Sequence, residues 1–245
     1  MLQMADMDRK TQAEQSDPDM KAALKRFFSL VSHDIKAQLA TVRSYSELLA
    51  GSETLGDDDR DISTQIQIAS FLLQIKINNL VNAGKIEGSL ISYDMRPFSI
   101  WDLCEQARHS LEPFSSGKGV RLDVDVETDC LVVGDVEKIE EILVNLSYYV
   151  LQHTPRGGSA AVRGASSGNR LRIAIESSGG LYSEQDRSII SCILKEKIPE
   201  KGELGLFVSA VFAAAHGAEL SWDVEEGGNA GLSFTLPVHS ETGGS

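Results

Sequence analysis

Apolar positions in the first third of the chain recur at helical spacing. Between Lys21 and Gly51 they are Leu24, Phe28, Val31, Ile35, Leu39, Val42 and Leu49. At roughly 100° per residue these fall on one stripe of an α-helix. The pattern predicts a helix from about Pro18 to Ala50, stopped by Gly51 and a polar turn over 51–59. A second helix is predicted from about Asp57 to Lys85. Its stripe is Ile62, Ile66, Ala69, Leu73, Ile77 and Leu80, with a second apolar patch at Ile68, Phe71 and Ile75. Two long helices joined by a short turn make an antiparallel hairpin, which buries only one face by itself. Pairing with a second copy completes a four-helix bundle, so the pattern predicts a homodimer.

The pattern changes after Gly84, Gly88 and Pro97. Residues 101–114 read as a helix ended near Pro113. Val120 to Val126 alternates apolar with charged residues, which predicts a half-buried strand. A helix is expected over Val136–Gln152, and strands over 159–163 and 171–175. A short helix is expected over 183–198 and an Ala/Val/Phe-rich one over 204–216. Two last strands, 218–224 and 230–238, follow. The expected fold class is α plus α/β: a two-helix hairpin forming a dimeric four-helix bundle, then an α/β sandwich with a mixed, mostly antiparallel sheet. The expected divisions are a disordered lead over 1–19, the hairpin domain over 20–88, the sandwich domain over 95–240 and a tail over 241–245.

Composition narrows the partners. The formal net charge is −13 and the pI about 4.8. Nucleic acid and anionic membranes attract basic surfaces, so neither is expected as a partner. Cys104, Cys130 and Cys192 are far apart and have no metal-ligand spacing, which fits a reducing cytoplasm without a disulfide framework. No run approaches the roughly 18 apolar residues of a membrane helix. The polar start of the chain has no signal-peptide pattern, and no sensor module is expected.

The candidate chemistry lies on the first helix, in Ser32-His33-Asp34-Ile35-Lys36-Ala37-Gln38-Leu39. His33 is nine residues from both Leu24 and Val42, roughly 180° around the wheel from the stripe. Its imidazole therefore points away from the core. A solvated surface histidine would point the same way. An imidazole is a competent nucleophile near neutral pH, and Asp34 can hydrogen-bond one ring nitrogen to fix the tautomer. Ala37, Ala40, Ser44 and Glu47 continue along the face of His33 at helical steps. Their small side chains leave room for another protein to dock, although alanines also serve simply as helix formers.

Taken in order, these segments resemble the dimerisation and ATP-binding core of bacterial sensor histidine kinases, over roughly residues 22–238. The His33 segment resembles the family's S-H-E-L-R-T-P-L box. Gly134-Asp135, Ile139 to Leu146 and His153 to Gly158 resemble its N box and following turn. Leu204-Gly205-Leu206 with His216-Gly217-Ala218 resembles its last glycine box, and Gly231 to Pro237 its last strand. The resemblance implies that His33 is a phosphoacceptor assisted by Asp34. It also implies that a response-regulator receiver domain docks along Lys36, Ala37, Ala40, Ser44 and Glu47. Related bifunctional kinases carry Thr or Asn where this chain has Ala37, and that residue orients a hydrolytic water. The methyl of Ala37 implies weak or absent phosphatase activity.

The departures lie in the nucleotide pocket. Asn145 keeps the earlier asparagine of the N box, but Tyr149 stands where the family chelates Mg²⁺. A phenol is a poor ligand for a hard cation that demands oxygens in near-octahedral geometry. Ser177 replaces the adenine-binding aspartate of the D-x-G-x-G box, Gly179 is kept, and Leu181 replaces its second glycine. In the last box Lys201 and Glu203 stand for two glycines, while Gly205 is retained. A carboxylate at Glu203 repels a triphosphate. The segment from Ser183 to Lys201 is short for an ATP lid.

The expectation is a cytoplasmic, homodimeric histidine phosphotransferase of a two-component phosphorelay, closest to those derived from kinases. No cofactor or metal is expected on this chain, and the receiver domain's acidic pocket would supply Mg²⁺. The alternatives are an ATP-dependent histidine kinase with a diverged pocket and a non-catalytic adaptor that binds a response regulator. Only the kinase alternative calls for ATP.

Overall fold

In the computed structural model the described residues are 35–37, 39–49, 51–52, 56–127, 130–178, 203–224 and 230–239. His33, Asp34, Gly179, Leu181, Cys192 and the helix expected over 183–198 lie outside them. So do the expected lead over 1–19 and the tail over 241–245.

Residues 35–37 and 39–49 are helical (α1). Helix α2, Asp57–Glu87, follows. It ends at Gly88, and Ser89 then takes a left-handed φ of 51° to turn the chain. Strand β1 is Arg96–Ser99, and helix α3 is Ile100–Lys118. Strands β2, Arg121–Asp125, and β3, Leu131–Gly134, precede helix α4, Val136–His153. Strands β4, Ser159–Ser167, and β5, Arg170–Ser177, form a hairpin. Helix α5, Leu204–Ala215, leads to β6, Ser221–Val224, and β7, Ala230–Pro237.

The main sheet has the order β2-β4-β5-β7-β6. Only the β2–β4 pair is parallel, so the sheet is mixed and mostly antiparallel as its alternating sequence predicts. Leu171, Ile173 and Ile175 of β5 and Leu232, Phe234 and Leu236 of β7 recur every second residue and are buried. Helix α4 contributes Ile139, Ile142, Leu143, Leu146 and Val150 to the same core, and α5 contributes Val208 and Phe212.

Three differences from the sequence pattern have physical causes. A small second sheet, β1–β3, does not show in the periodicity because each strand has four residues and Pro97 interrupts one of them. It joins the main sheet through a bridge from Val132 to Val238. Helix α3 does not end at Pro113 but continues to Lys118. Buried Ser115, and Phe114 set edge-on to Tyr148 at 5.1 Å, hold that last turn against α4. Gly119, at φ 68°, then closes the helix, its N–H bonded to the Ser116 carbonyl at 2.9 Å. The final strands are also redrawn. The chain turns at His216 and Gly217, the latter at φ 64°, and runs irregularly to Leu220, so β6 begins only at Ser221.

The stripe expected to form the core of α2 in a four-helix bundle is exposed in the single chain. Ile62 is 59% exposed and Leu80 62%, with Ile66 and Leu73 also exposed. It is the second patch that packs inward: Ile75 is buried, and Phe71 lies against the core. The face that carries Asn79 and Asn82 makes the contact with the sandwich.

Gly231 sits where β7 crosses β5, and a Cβ there would lie 2.5 Å from the Ile175 carbonyl oxygen. Gly231→Ala must therefore push the two strands apart. A loss of about 2 kcal/mol or more is expected in urea unfolding, from overpacking and a strained ladder.

Candidate functional site

Helix α4 begins where the resemblance places the N box. Asp135 is its N-cap: Oδ1 accepts from the Lys138 N–H at 3.2 Å, and Oδ2 accepts from the Asp94 N–H at 2.9 Å. The Asp135 N–H donates to His216 Nε2 at 2.9 Å. Nε2 is thus an acceptor, and Nδ1 donates to the Phe212 carbonyl at 2.6 Å. Buried His216 ties the start of α4 to the end of α5. Tyr93 closes over it edge-on at 6.0 Å, and burial, then the charge of Asp135, raises the Tyr93 phenol above its ordinary pKa. The histidine of the His216-Gly217-Ala218 segment therefore has a structural role.

Two turns into α4, Asn145 meets α2. Asn79 Nδ2 donates to Asn145 Oδ1 and Asn145 Nδ2 donates to Asn79 Oδ1, both at 2.9 Å. Both residues are buried. The reciprocal pair engages one donor and the oxygen of each amide, so neither group is orphaned in the interior. A Cβ on Gly205 would lie 3.0 Å from both Asn145 Oδ1 and Asn79 Nδ2. Gly205 therefore lets the start of α5 reach the pair. Sequence reasoning found Asn145 and Gly205 but missed Asn79, which lies 66 residues from its partner. Its signal was a polar Asn78-Asn79-x-x-Asn82 group interrupting an apolar helix.

One helical turn back, Asn82 Nδ2 donates to Glu141 Oε2. Burial is the main influence on Glu141 and pushes its carboxyl up to about 7. Lys138, Lys36 and Lys85 pull it down, and Glu137 adds to the rise. Lys138 Nζ lies 3.9 Å from Glu141 Oε1. Glu140 is also raised, by burial and then by Glu137.

Beside the amide pair lies a cavity of about 430 Å³. Its walls are Tyr148, Tyr149 and Gln152 of α4, Ile75, Asn79 and Leu80 of α2, and Glu203 to Leu206 at the start of α5. Tyr149 is 2% exposed, and its ring lies 4.3 Å from that of His153. Gln152 donates to the Tyr148 hydroxyl at 2.7 Å, and burial followed by the charge of Glu203 raises the Tyr148 phenol. Glu203 stands at the N-cap of α5 without a side-chain cap bond. Ser177 closes β5, buried, with its Oγ lacking a hydrogen-bond partner. The structure thus brings Asn145, Tyr149, Glu203 and Gly205 around one cavity; Ser177 does not line it. Lys76 lines the same cavity and sets a cation beside the phenol, the Glu203 carboxylate and the already paired amide.

On α1, Ala37, Ala40, Ser44 and Glu47 are exposed. Thr41 Oγ1 donates to the Ala37 carbonyl at 3.0 Å, and Arg43 lies 3.5 Å from Glu47. Lys36 and Arg43 line a second cleft, of about 480 Å³, opposite Glu137, Glu140 and Glu141. Among the described residues there is no cluster of three or more metal-ligating side chains and no helix long and apolar enough to cross a membrane.

The hairpin helix followed by this mixed sandwich is the fold of a sensor histidine kinase core. No protein-family model matches the chain. Over 98% of its length it is 23% identical to a non-motile and phage-resistance protein of Caulobacter vibrioides. Over 88% it is 26% identical to an uncharacterised sensor-like histidine kinase of Rhizobium meliloti. These alignments cover 30% and 43% of the relatives, so the chain spans less than half the length of either. Full-length ShkA, solved with AMPPNP, superposes with a TM-score of 0.58 at 20% identity, over 87% of this chain and 46% of that one. The histidine kinase AdeS of Acinetobacter baumannii gives 0.54 at 14% identity, over 82% and 96%.

Asn145→Ala removes both bonds of the amide pair and leaves Asn79 buried alone. A cost of about 1–3 kcal/mol is expected in urea unfolding. Asn79→Ala with Asn145→Ala should cost less than the sum of the single variants, by about 1 kcal/mol, because the second change removes an orphaned group.

Proposed function

We propose that the chain is a histidine phosphotransfer protein of a two-component phosphorelay, with His33 as the phosphoryl carrier. The observation that carries this reading is the cavity at Tyr149. By the resemblance, buried Tyr149 stands where the family holds its metal ligand and Glu203 where it holds a glycine, and both line this cavity with α2 as one wall. A phosphoryl source other than bound ATP is the economical consequence.

In this reading a receiver aspartyl phosphate docks along Ala37, Ala40, Ser44 and Glu47, which are exposed on α1, as Val42 and Leu49 of its apolar stripe also are in the single chain. A ring nitrogen of His33 attacks phosphorus in line. The N–P bond forms as the aspartyl P–O bond breaks, and the receiver carboxylate leaves with the bonding pair. Asp34 holds the other ring nitrogen and stabilises the developing imidazolium. Transfer onward reverses these steps. Mg²⁺ at the receiver's acidic pocket neutralises the phosphoryl oxygens, and this chain supplies no ligand to it. The exposed Ile62, Ile66, Leu73 and Leu80 stripe of α2 supports a homodimer in which two hairpins form a four-helix bundle. A cytoplasmic location fits the acidic composition and the cysteine spacing.

ATP-dependent kinase activity is the second reading, supported by the names of the relatives. The two are separated by labelling the chain either from Mg-ATP or from a phosphorylated receiver domain. Label is expected on His33 from the receiver, none in His33→Ala, and none from Mg-ATP. Autophosphorylation from ATP that is lost in His33→Ala would overturn the phosphotransfer reading. Label from neither source would leave a non-catalytic adaptor.

A further inference from the structure

The described part of α1 carries two cations, Lys36 and Arg43, seven residues apart and therefore on one side of the helix. Ala40 lies one turn from each, so the cations flank the face of small residues. Both line the cleft of about 480 Å³ whose opposite wall is the start of α4. That wall presents Glu137, Glu140 and Glu141. Ile139, Ile142 and Leu143 of the same turns are buried in the core, which turns the carboxylates to the cleft.

The wall is negative in excess. Lys138 is the cation of these turns, and its Nζ is shared: it lies 3.9 Å from Glu137, 3.9 Å from Glu141 and 5.4 Å from the centre of the Phe212 ring. Asn82 donates to Glu141 from α2. Glu140 is half-buried, and the charge that acts on it is the like charge of Glu137. Across the cleft the charges have the opposite sign. Lys36 acts on Glu141. Arg43 lies 3.5 Å from Glu47 of its own helix, an exposed pair that contributes little.

We propose that this acidic wall of α4 is a rival of the receiver domain: it draws Lys36 and Arg43 towards the sandwich, and a receiver that docks on α1 must take them from it. The identity of the rival partner rests on the phosphotransfer reading. A receiver brings carboxylates around its phosphoacceptor aspartate, the same chemistry that α4 offers to the same two cations. Attraction across a hydrated cleft is weak and sensitive to salt, so the wall tunes the affinity for a receiver and does not block the site.

Transfer of label from a phosphorylated receiver domain to the whole chain, followed against receiver concentration, reads the rivalry. Glu137→Gln with Glu140→Gln leaves Glu141 in place, where Asn82 and Lys138 hold it. In this double variant the KM for the receiver is expected to fall about three- to tenfold at low ionic strength, with kcat unchanged. The difference should vanish in about 1 M salt, where charges act over roughly 3 Å. Carboxylates that merely repel an acidic receiver would give the same fall, and the cations separate the two cases. With Lys36→Gln and Arg43→Gln already present, the glutamate changes should leave KM where it is. A further fall in that background would overturn the proposal, as would an unchanged KM when the glutamates alone are replaced. Label that never reaches His33, in the native chain or any variant, would sink the phosphotransfer reading itself and the rivalry with it.

Discussion

The reciprocal amide pair between Asn79 and Asn145 constrains how the two parts of this molecule meet. Apolar contacts between helices are non-directional and tolerate sliding. A buried pair of carboxamides does not. Either amide displaced by a fraction of a turn leaves a donor and an acceptor in the interior, at a cost comparable with a sizeable share of a domain's stability. The pair thus fixes both the rotation and the axial register of α2 on α4. Asn82 on Glu141 repeats the constraint one turn away, and Gly205 gives the start of α5 room to close against it. Ile75 and Phe71 add apolar contact around these anchors.

A second polar tie fixes the other end of the same helices. Asp135 caps α4, holds the Asp94 backbone and donates its own N–H to His216 at the end of α5. Gly134 leaves room for that imidazole, since a Cβ there would lie 2.9 Å from His216 Cδ2. Positions that resemble nucleotide-binding boxes in the sequence thereby hold helices together. Asn145, Gly205 and His216 each have a packing role that a bound ligand is not needed to explain.

Much of the sandwich was legible because its elements have strong periods. Helix α4 repeats its buried residues at helical steps, and β5 and β7 alternate cleanly. The four-residue strands β1 and β3 are too short to show a period, and Pro97 argues against one of them. Helix α3 was read too short because local preference at Pro113 is overridden by packing of the turn beyond it. Both apolar faces of α2 were legible, but hydrophobicity does not say which of them meets the sandwich. Only the partner residues Glu141 and Asn145, far away in sequence, reveal that the asparagine face is the one covered. Of the site, Tyr149, Glu203, Gly205 and Asn145 were legible as departures from or remnants of a resemblance. Their convergence on one cavity with Asn79 was not. His33 and Asp34, the most legible chemistry in the sequence, lie outside the described residues.

The polarity of the seam bears on whether it can open. Separating an apolar interface exposes hydrocarbon to water, at roughly 25 cal/mol per Å². Separating paired amides exchanges protein partners for water, so the net change per hydrogen bond is small even though an unmatched group is costly. The seam built from Asn79, Asn82, Glu141 and Asn145 is thus specific when closed, while buried Ile75, Val81 and Ala83 beside it add apolar surface that opening would expose. The larger exposed apolar stripe of α2, from Ile62 to Leu80, lies on a different face from this seam. Leu80 belongs to that stripe and also walls the cavity at Tyr149 beside Asn79, so the two faces of α2 meet at that cavity.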